Sequence, residues 1–332
     1  MTRNKLFTNI TWHGRWMLIL IAVNMLIGLI TGCSPRSNPN TVPVKLALLP
    51  ILDTIPIYLA QEEGYFAQEG INVEFIPVGS AAERDQVMAA NQADGMINDL
   101  VSVVLYNREE SKVQAVRFMR VATKDQPLYR ILAAKNSGIQ DVKGLAGVPI
   151  GISQGSIINY VTDQLLLAEG LTEEQIKIIA VPKIPERMAL LGSGEIEAAT
   201  LPEPFATLAI QQGAREITND TRHPEFGNSV ISFRKTFLED HPDTVKGFLR
   251  AVEKAVKDIN SNPEKGRLIL KKYKLVSPEL AASYPVPTFP TSSIPGQAIF
   301  EAVASWAKER GLVDRLVSYT DSVNSGFAVK PE

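Results

Sequence analysis

Three consecutive stretches decide the fold: Val44-Lys-Leu-Ala-Leu-Leu-Pro50, Pro56-Ile-Tyr-Leu-Ala-Gln-Glu-Glu-Gly-Tyr-Phe-Ala-Gln-Glu-Gly70 and Ile71-Asn-Val-Glu-Phe-Ile-Pro-Val78. The first is a short apolar run ending on proline and reads as a buried strand. The second has helical spacing over Ile57 to Gly64, with Tyr65 and Phe66 as large apolar residues behind it. Gly70 closes that unit, where a left-handed residue is cheap for glycine. The third is strand again. Strand, helix, strand is the unit of a parallel sheet with helices on its faces.

The alternation continues outward. Ala82 to Gln92 reads as helix, Gly95 to Asn98 as strand, Leu100 to Asn107 as helix and Val113 to Val121 as strand. A second block repeats it: strands over Leu128 to Lys135, Val148 to Ile152, Ile176 to Val181 and Ala198 to Leu201. Helices fall between and after them, over Ser156 to Gly170, Pro185 to Gly194 and Phe205 to Gly213. The blocks are alike in detail, as in Leu59-Ala-Gln-Glu-Glu-Gly64 beside Leu167-Ala-Glu-Gly170. After a strand at Ser229 to Arg234 the pattern turns helical, over Pro242 to Ser261, Pro263 to Tyr273 and Ile294 to Gly311. Asp240 and Asp243 suit a cap or first turn there. Tyr284-Pro-Val-Pro-Thr-Phe-Pro290 carries too many prolines for helix and must run extended.

The chain of 332 residues is long enough for two domains. Lys plus Arg number 34 and Asp plus Glu 36, so the net charge is −2 and no basic excess points to nucleic acid. A single cysteine excludes an intramolecular disulfide and a Cys-based metal site. Its position is informative. Arg3, Lys5 and Arg15 precede an uncharged run from Trp16 to Ile30, too short for the ~20 residues of a membrane-spanning helix. Small residues follow, which is the layout of a secretory signal. Leu29-Ile-Thr-Gly-Cys33 resembles the bacterial lipobox, which implies cleavage before an acylated Cys33. Ser34 to Pro43 holds three prolines among polar residues and reads as an extended tether. The expected organisation is a lipoprotein signal peptide over residues 1–32 and a lipidated tether over 33–43. One lobe then takes 44–126 with 228–332, and a second takes 127–227. The body is expected outside the cytoplasmic membrane, away from ATP and NAD pools, with no cofactor.

In open α/β sheets ligands sit beyond the carboxyl ends of the strands. The loops there hold Asp53 with Thr54, Ser80, Asn98 with Asp99, Ser153 to Ser156, Lys183 with Ile184, and Glu203. Ser153-Gln-Gly-Ser156 is a strand-to-helix turn whose backbone N–H groups suit anions and carbonyl oxygens. Glu203 can accept from an amino-bearing ligand. Asp53, Asp99 and Ser156 also fit plain turn or cap roles. Tyr129 offers an aromatic face where the chain crosses between blocks. Gly151-Ile-Ser153-Gln-Gly155 matches a hydrolase elbow, which would need a base from His223 or His241. There is no P-loop, GxGxxG, HExxH or EF-hand loop, and no His–acid cluster for a metal.

The run Pro56 to Val73 is similar to the opening signature of bacterial transporter binding proteins for nitrate, sulfonates, taurine and thiamine-pyrimidine precursors. Asp94, Leu145-Ala-Gly-Val-Pro-Ile-Gly-Ile-Ser-Gln-Gly-Ser156 and Glu203-Pro204 follow in that family's order. The resemblance implies an α/β type II periplasmic-binding fold, two doubly wound lobes joined by a two-crossing hinge. It implies a non-enzymatic monomer that hands a small solute to an ABC permease and ATPase complex, held on the lipid bilayer by Cys33. By position it implies ligand contacts at Asp53, Thr54, Ser80, Asn98, Asp99, Ser153, Gln154, Ser156 and Glu203. The Cys-rich motif of the yeast-type pyrimidine synthases is absent. No Arg sits squarely in a strand-end loop; Arg84 and Arg187, one helical turn in, are the substitutes. A hydrolase using Ser153, or an enzyme on the same fold, is the alternative.

Overall fold

The structure, a computed structural model, describes residues 43–329, the side chain of Glu279 excepted. The leader, Cys33 and the tether up to its last residue lie outside the described residues.

Strands β1 (Val44–Leu48), β2 (Val73–Pro77), β3 (Gly95–Asn98), β4 (Val113–Val121) and β10 (Asn228–Arg234) form one sheet in the order β2-β1-β3-β10-β4. Strands β5 (Tyr129–Ala133), β6 (Pro149–Ile152), β7 (Lys177–Ala180), β8 (Ala198–Pro202) and β9 (Arg215–Asn219) form the second, in the order β7-β6-β8-β5-β9. The two orders are equivalent strand for strand. This is the two-lobed periplasmic-binding architecture.

The alternation implies parallel strands, and each sheet adds one strand that runs the other way. β10 runs antiparallel to β3 and β4, and β5 runs antiparallel to β8 and β9. These are the two strands the chain lays down just after crossing from one sheet to the other. Each enters its sheet from the opposite end and wedges between parallel neighbours. An apolar run carries no record of its direction, so periodicity is blind to this.

The helices of the first lobe are α1 (Ile55–Glu62), α2 (Ala81–Ala89) and α3 (Leu100–Tyr106); those of the second are α4 (Ile157–Ala168), α5 (Ile184–Ser193) and α6 (Phe205–Gln211). The C-terminal region adds α7 (Pro242–Ser261), α8 (Pro263–Lys272) and α9 (Gln297–Glu309). On α7, Val245, Phe248, Val252, Val256 and Ile259 recur at three- and four-residue spacing and are all buried. Phe248 stacks on Phe66 at 5.1 Å. Asp240 does not cap α7: it ends the preceding short helix, and His241 takes the cap position without a side-chain bond. No helix among the described residues is long and apolar enough to cross a membrane.

Residues 122–128 and 220–227 make the two crossings. Asp220 ties them together. It is fully buried, and its Oδ1 accepts the backbone N–H of Leu128 at 3.0 Å and of Tyr129 at 3.3 Å. The C-terminal region adds two further links. The proline-rich stretch runs extended and is fastened to α7 by paired Asn260–Phe289 bonds. From it, the Tyr284 hydroxyl reaches Glu203 in the second lobe at 2.8 Å. From α9, the Trp306 indole donates to buried Asp163 on α4 at 3.0 Å, and Arg310 beyond the helix end does the same.

Gly95 shows how tightly the inserted strand is held. It pairs with Phe233 of β10, and a Cβ there would lie 2.6 Å from that ring. Gly95→Ala is therefore expected to destabilise the fold by roughly 1–3 kcal/mol, seen as a lower urea midpoint with an unchanged m value.

Candidate functional site

Parallel strands end at the same edge of a sheet, so the loops after β1, β2, β3, β6, β7 and β8 gather there. In this chain those edges enclose one cavity of about 70 Å³ walled by both lobes. Three of its side chains are helix caps. Ser80 caps α2 through Glu83 N–H, Asp99 caps α3 through Ser102 N–H and Ser156 caps α4 through Ile158 N–H. A cap residue sits where a strand has ended and a helix begins, which places it at the cavity mouth. The cap and ligand readings of these residues are thus compatible.

Of the residues expected at the site, Asp53, Ser80, Asn98, Asp99, Tyr129, Ser153, Ser156 and Glu203 line this cavity. Thr54 and Gln154 do not. Thr54 is fully buried, its hydroxyl donating to the Ile51 carbonyl at 2.6 Å. Gln154 is exposed. Sequence reasoning passed over Arg120 near the end of β4 and Ser229 on β10, which also line it. The run Val113 to Val121 carries two cations, Arg117 and Arg120, and only pairing decides that Arg117 turns to Glu253 while Arg120 lines the cavity.

Much of the polar capacity is already used. Asn98 accepts from Ser232 at 2.8 Å and donates to Ser102 at 3.3 Å. Glu203 is ion-paired with Arg130 and accepts from Thr207 and Tyr284, each at 2.8 Å. Two groups on the cavity wall stand out: Asp53 Oδ1 and Ser229 Oγ are buried with no partner at full hydrogen-bond geometry, and the Ser229 hydroxyl is the side chain that favours the Asp53 carboxylate. Such atoms carry the full desolvation cost until something bonds them. Arg120 lies 3.9 Å from Asp53, and Arg84 lies 4.0 Å from Asp99. Burial nonetheless pushes both carboxyls above their ordinary pKa, with the guanidinium opposing it in each case. Tyr129 is pushed up by burial and then by Asp99, Asp53 and Asp220 around it.

Ser153 is not set up as a nucleophile. Its hydroxyl donates to the Pro182 carbonyl and accepts from Arg187, both at 3.0 Å. His223 stacks on Phe226 beside Glu225, His241 packs on Phe237, and neither lines the cavity.

This fold and cleft define a two-lobed α/β binding architecture. The family model described as "NMT1/THI5 like" matches residues 52–266, and the chain belongs to that family. A protein of Bacillus subtilis (strain 168) named as binding aliphatic sulfonates is 26% identical over 249 residues, 72% of each chain. A 4-amino-5-hydroxymethyl-2-methylpyrimidine phosphate synthase of Aspergillus parasiticus is 22% identical over 221 residues, 63% of each chain. Among solved structures, the ligand-binding component of an ABC-type import system from Staphylococcus aureus, solved with zinc bound, superposes with a TM-score of 0.74 at 15% identity. That match covers 86% of this chain and 97% of the other.

Asp220 makes the stability of the hinge depend on pH. Burial raises its pKa to about 7, against the 3.8 of an ordinary aspartate, with the Leu128 and Tyr129 N–H groups opposing. A raised carboxyl binds its proton more tightly in the folded state. Its stabilising contribution is complete below the unfolded value and is lost as pH rises through about 7. The slope from this one group is at most about 1.4 kcal/mol per pH unit. Asp220→Asn is expected to flatten the fall in melting temperature between pH 5 and pH 8, measured by thermal unfolding.

Proposed function

We propose that this chain is the extracytoplasmic solute-binding component of an ABC importer. It acts as a monomer, held on the membrane by acylated Cys33, and passes its solute to a permease and ATPase complex. The solute is a small organic molecule, heterocyclic, zwitterionic or sulfonate-like. One observation carries this reading: a polar cavity between the strand ends of two hinged sheets, with Asp53 Oδ1 and Ser229 Oγ buried and unpartnered on its wall. Both atoms belong to the first lobe, and a solute bonded to them faces the second lobe's wall at Ser153, Ser156 and Glu203. The cavity, about 70 Å³, is small beside the roughly 300–1,000 Å³ of drug-sized pockets, which favours a solute of few heavy atoms. The absence of a base beside Ser153 leaves the hydrolase alternative without support.

Binding across two lobes favours closure only by the solute's differential affinity for the closed form. A solute at a hundred times its Kd is expected to add about 2.7 kcal/mol of apparent stability without being turned over. A thermal-shift screen of vitamins, pyrimidines, sulfonates and oxyanions reads this directly, with product analysis alongside. Asp53→Asn keeps the shape and removes the charge. It is expected to weaken the identified solute on the order of tenfold, by calorimetry. A screen without a single hit removes the reading's content.

Anchoring is tested separately. Cells grown with an alkyne analogue of palmitate are expected to label the wild-type chain, and Cys33→Ser is expected to abolish the label. Equal labelling of both chains removes the anchor from the proposal.

A further inference from the structure

Helix α7 carries a row of cations on one side. Lys246, Arg250, Lys254 and Lys257 recur at three- and four-residue spacing and are all exposed, while Phe248, Val252 and Ile259 are buried on the other side. The row is roughly 16 Å long at the helical rise per residue. It borders a groove of about 450 Å³ that has Phe327, Ala328 and Val329 as its apolar side. Like charges four residues apart on a helix repel one another and weaken it. Two acids stand against the row: Glu69 pairs with Arg250 at 2.6 Å and Asp243 with Lys246 at 3.7 Å. Glu253 in the groove is taken by Arg117 at 3.0 Å, and Asp258 turns to Lys265 and Tyr65. Lys254 lies over the Tyr65 ring at 4.2 Å and donates to Gln68 at 2.8 Å. Four cations against two acids leave the face positive. Exposed ion pairs add little to stability, so a denser array of anions can replace these acids.

The row lies at the edge where the tether enters the body. Val44 opens β1 and donates its N–H to the Asn72 carbonyl at 2.8 Å. The neighbouring Ile71 packs on α7 so closely that a Cβ on Gly247 would lie 2.8 Å from it. The cleft loops follow the carboxyl ends of β1, β2 and β3, so this is the opposite edge of the sheet. Residues 34–43 reach at most about 35 Å when fully extended. An acylated Cys33 therefore keeps this edge beside a bilayer, and tethering makes even a weak surface attraction effective.

We propose that the Lys246–Lys257 face of α7 docks on a bilayer of anionic phospholipid and rests the protein with its cleft turned away from the membrane, toward incoming solute. This rests on the reading of Cys33 as an acylated anchor and adds an orientation to it.

The test uses the full acylated chain on vesicles of phosphatidylcholine, with and without phosphatidylglycerol, collected by flotation. An amine-reactive acetyl ester then labels lysines, and mass spectrometry reads the rate at each. With phosphatidylglycerol present, Lys246, Lys254 and Lys257 are expected to label roughly fivefold more slowly or better. Lys135, Lys143 and Lys177, exposed on the second lobe, are expected to keep their rates. Salt at 1 M, where the Debye length is about 3 Å, is expected to restore labelling. In Lys254→Gln/Lys257→Gln the protection of Lys246 is expected to be lost with the melting temperature unchanged or raised, whereas Lys135→Gln/Lys143→Gln keeps the protection. Equal labelling on the two kinds of vesicle overturns the proposal. So does protection that survives high salt or the Lys254→Gln/Lys257→Gln change. Equal protection by inorganic phosphate on phosphatidylcholine alone makes the face a site for free anions and also overturns it. A chain that does not float with phosphatidylcholine alone has no anchor. Flotation with phosphatidylglycerol that the double variant loses then still supports docking by this face, and flotation with neither overturns both readings.

Discussion

The buried Asp220 carboxylate is the interaction on which the arrangement of the molecule turns. Its Oδ1 holds the N–H groups of Leu128 and Tyr129, so one crossing between the sheets is bonded to the other. Tyr129 begins β5 and also lines the cleft, which makes the brace and the cavity wall parts of one assembly. Gly227 belongs to the same constraint: a Cβ there would fall 2.0 Å from the second Asp220 oxygen, so this turn excludes any other residue without movement. A hinge has to bend and also return to register. Here the two short crossings are clamped to each other by one carboxyl group.

Around that brace the chain buries an unusual number of charges at one edge. Asp53, Asp99, Arg84, Arg120, Glu203 and Arg187 are all nearly or wholly buried. Buried ion pairs seldom add net stability. Here the fold supports them with further bonds. The support is visible. Glu203 is held by Arg130, Thr207 and Tyr284, the last of these from the first lobe's proline-rich segment. Arg84 is held by Asp85 and Ser102. Asp53 Oδ1 and Ser229 Oγ on the cavity wall are among the buried atoms left without a partner.

Local signals were enough to read most elements. Apolar runs closed by Pro or Gly located the strands, and spacing along Pro242 to Ser261 marked the face of α7. Strand-end logic reached Asp53, Ser80, Asp99, Ser156 and Glu203, because a parallel sheet puts those loops at one edge whatever its details. Thr54 and Gln154 were expected on the same logic and fall off the wall. In a turn, neighbouring side chains point in different directions, and the loop name does not say which one faces inward. Arg120 and Ser229 were passed over because they lie within strands, near ends set by pairing with distant partners.

By itself the sequence determined the repeated strand–helix grammar, the two blocks and the edge where chemistry gathers, since these follow from periodicity and turn residues within a few positions of one another. Tertiary structure alone decided the antiparallel entry of β5 and β10, the bond from Tyr284 to Glu203, and the brace at Asp220. Each joins residues far apart in the chain: Tyr284 meets Glu203 across 81 positions, and Asp220 meets Leu128 across 92. No local pattern records such a meeting. Direction, partner and burial are properties of the packed chain.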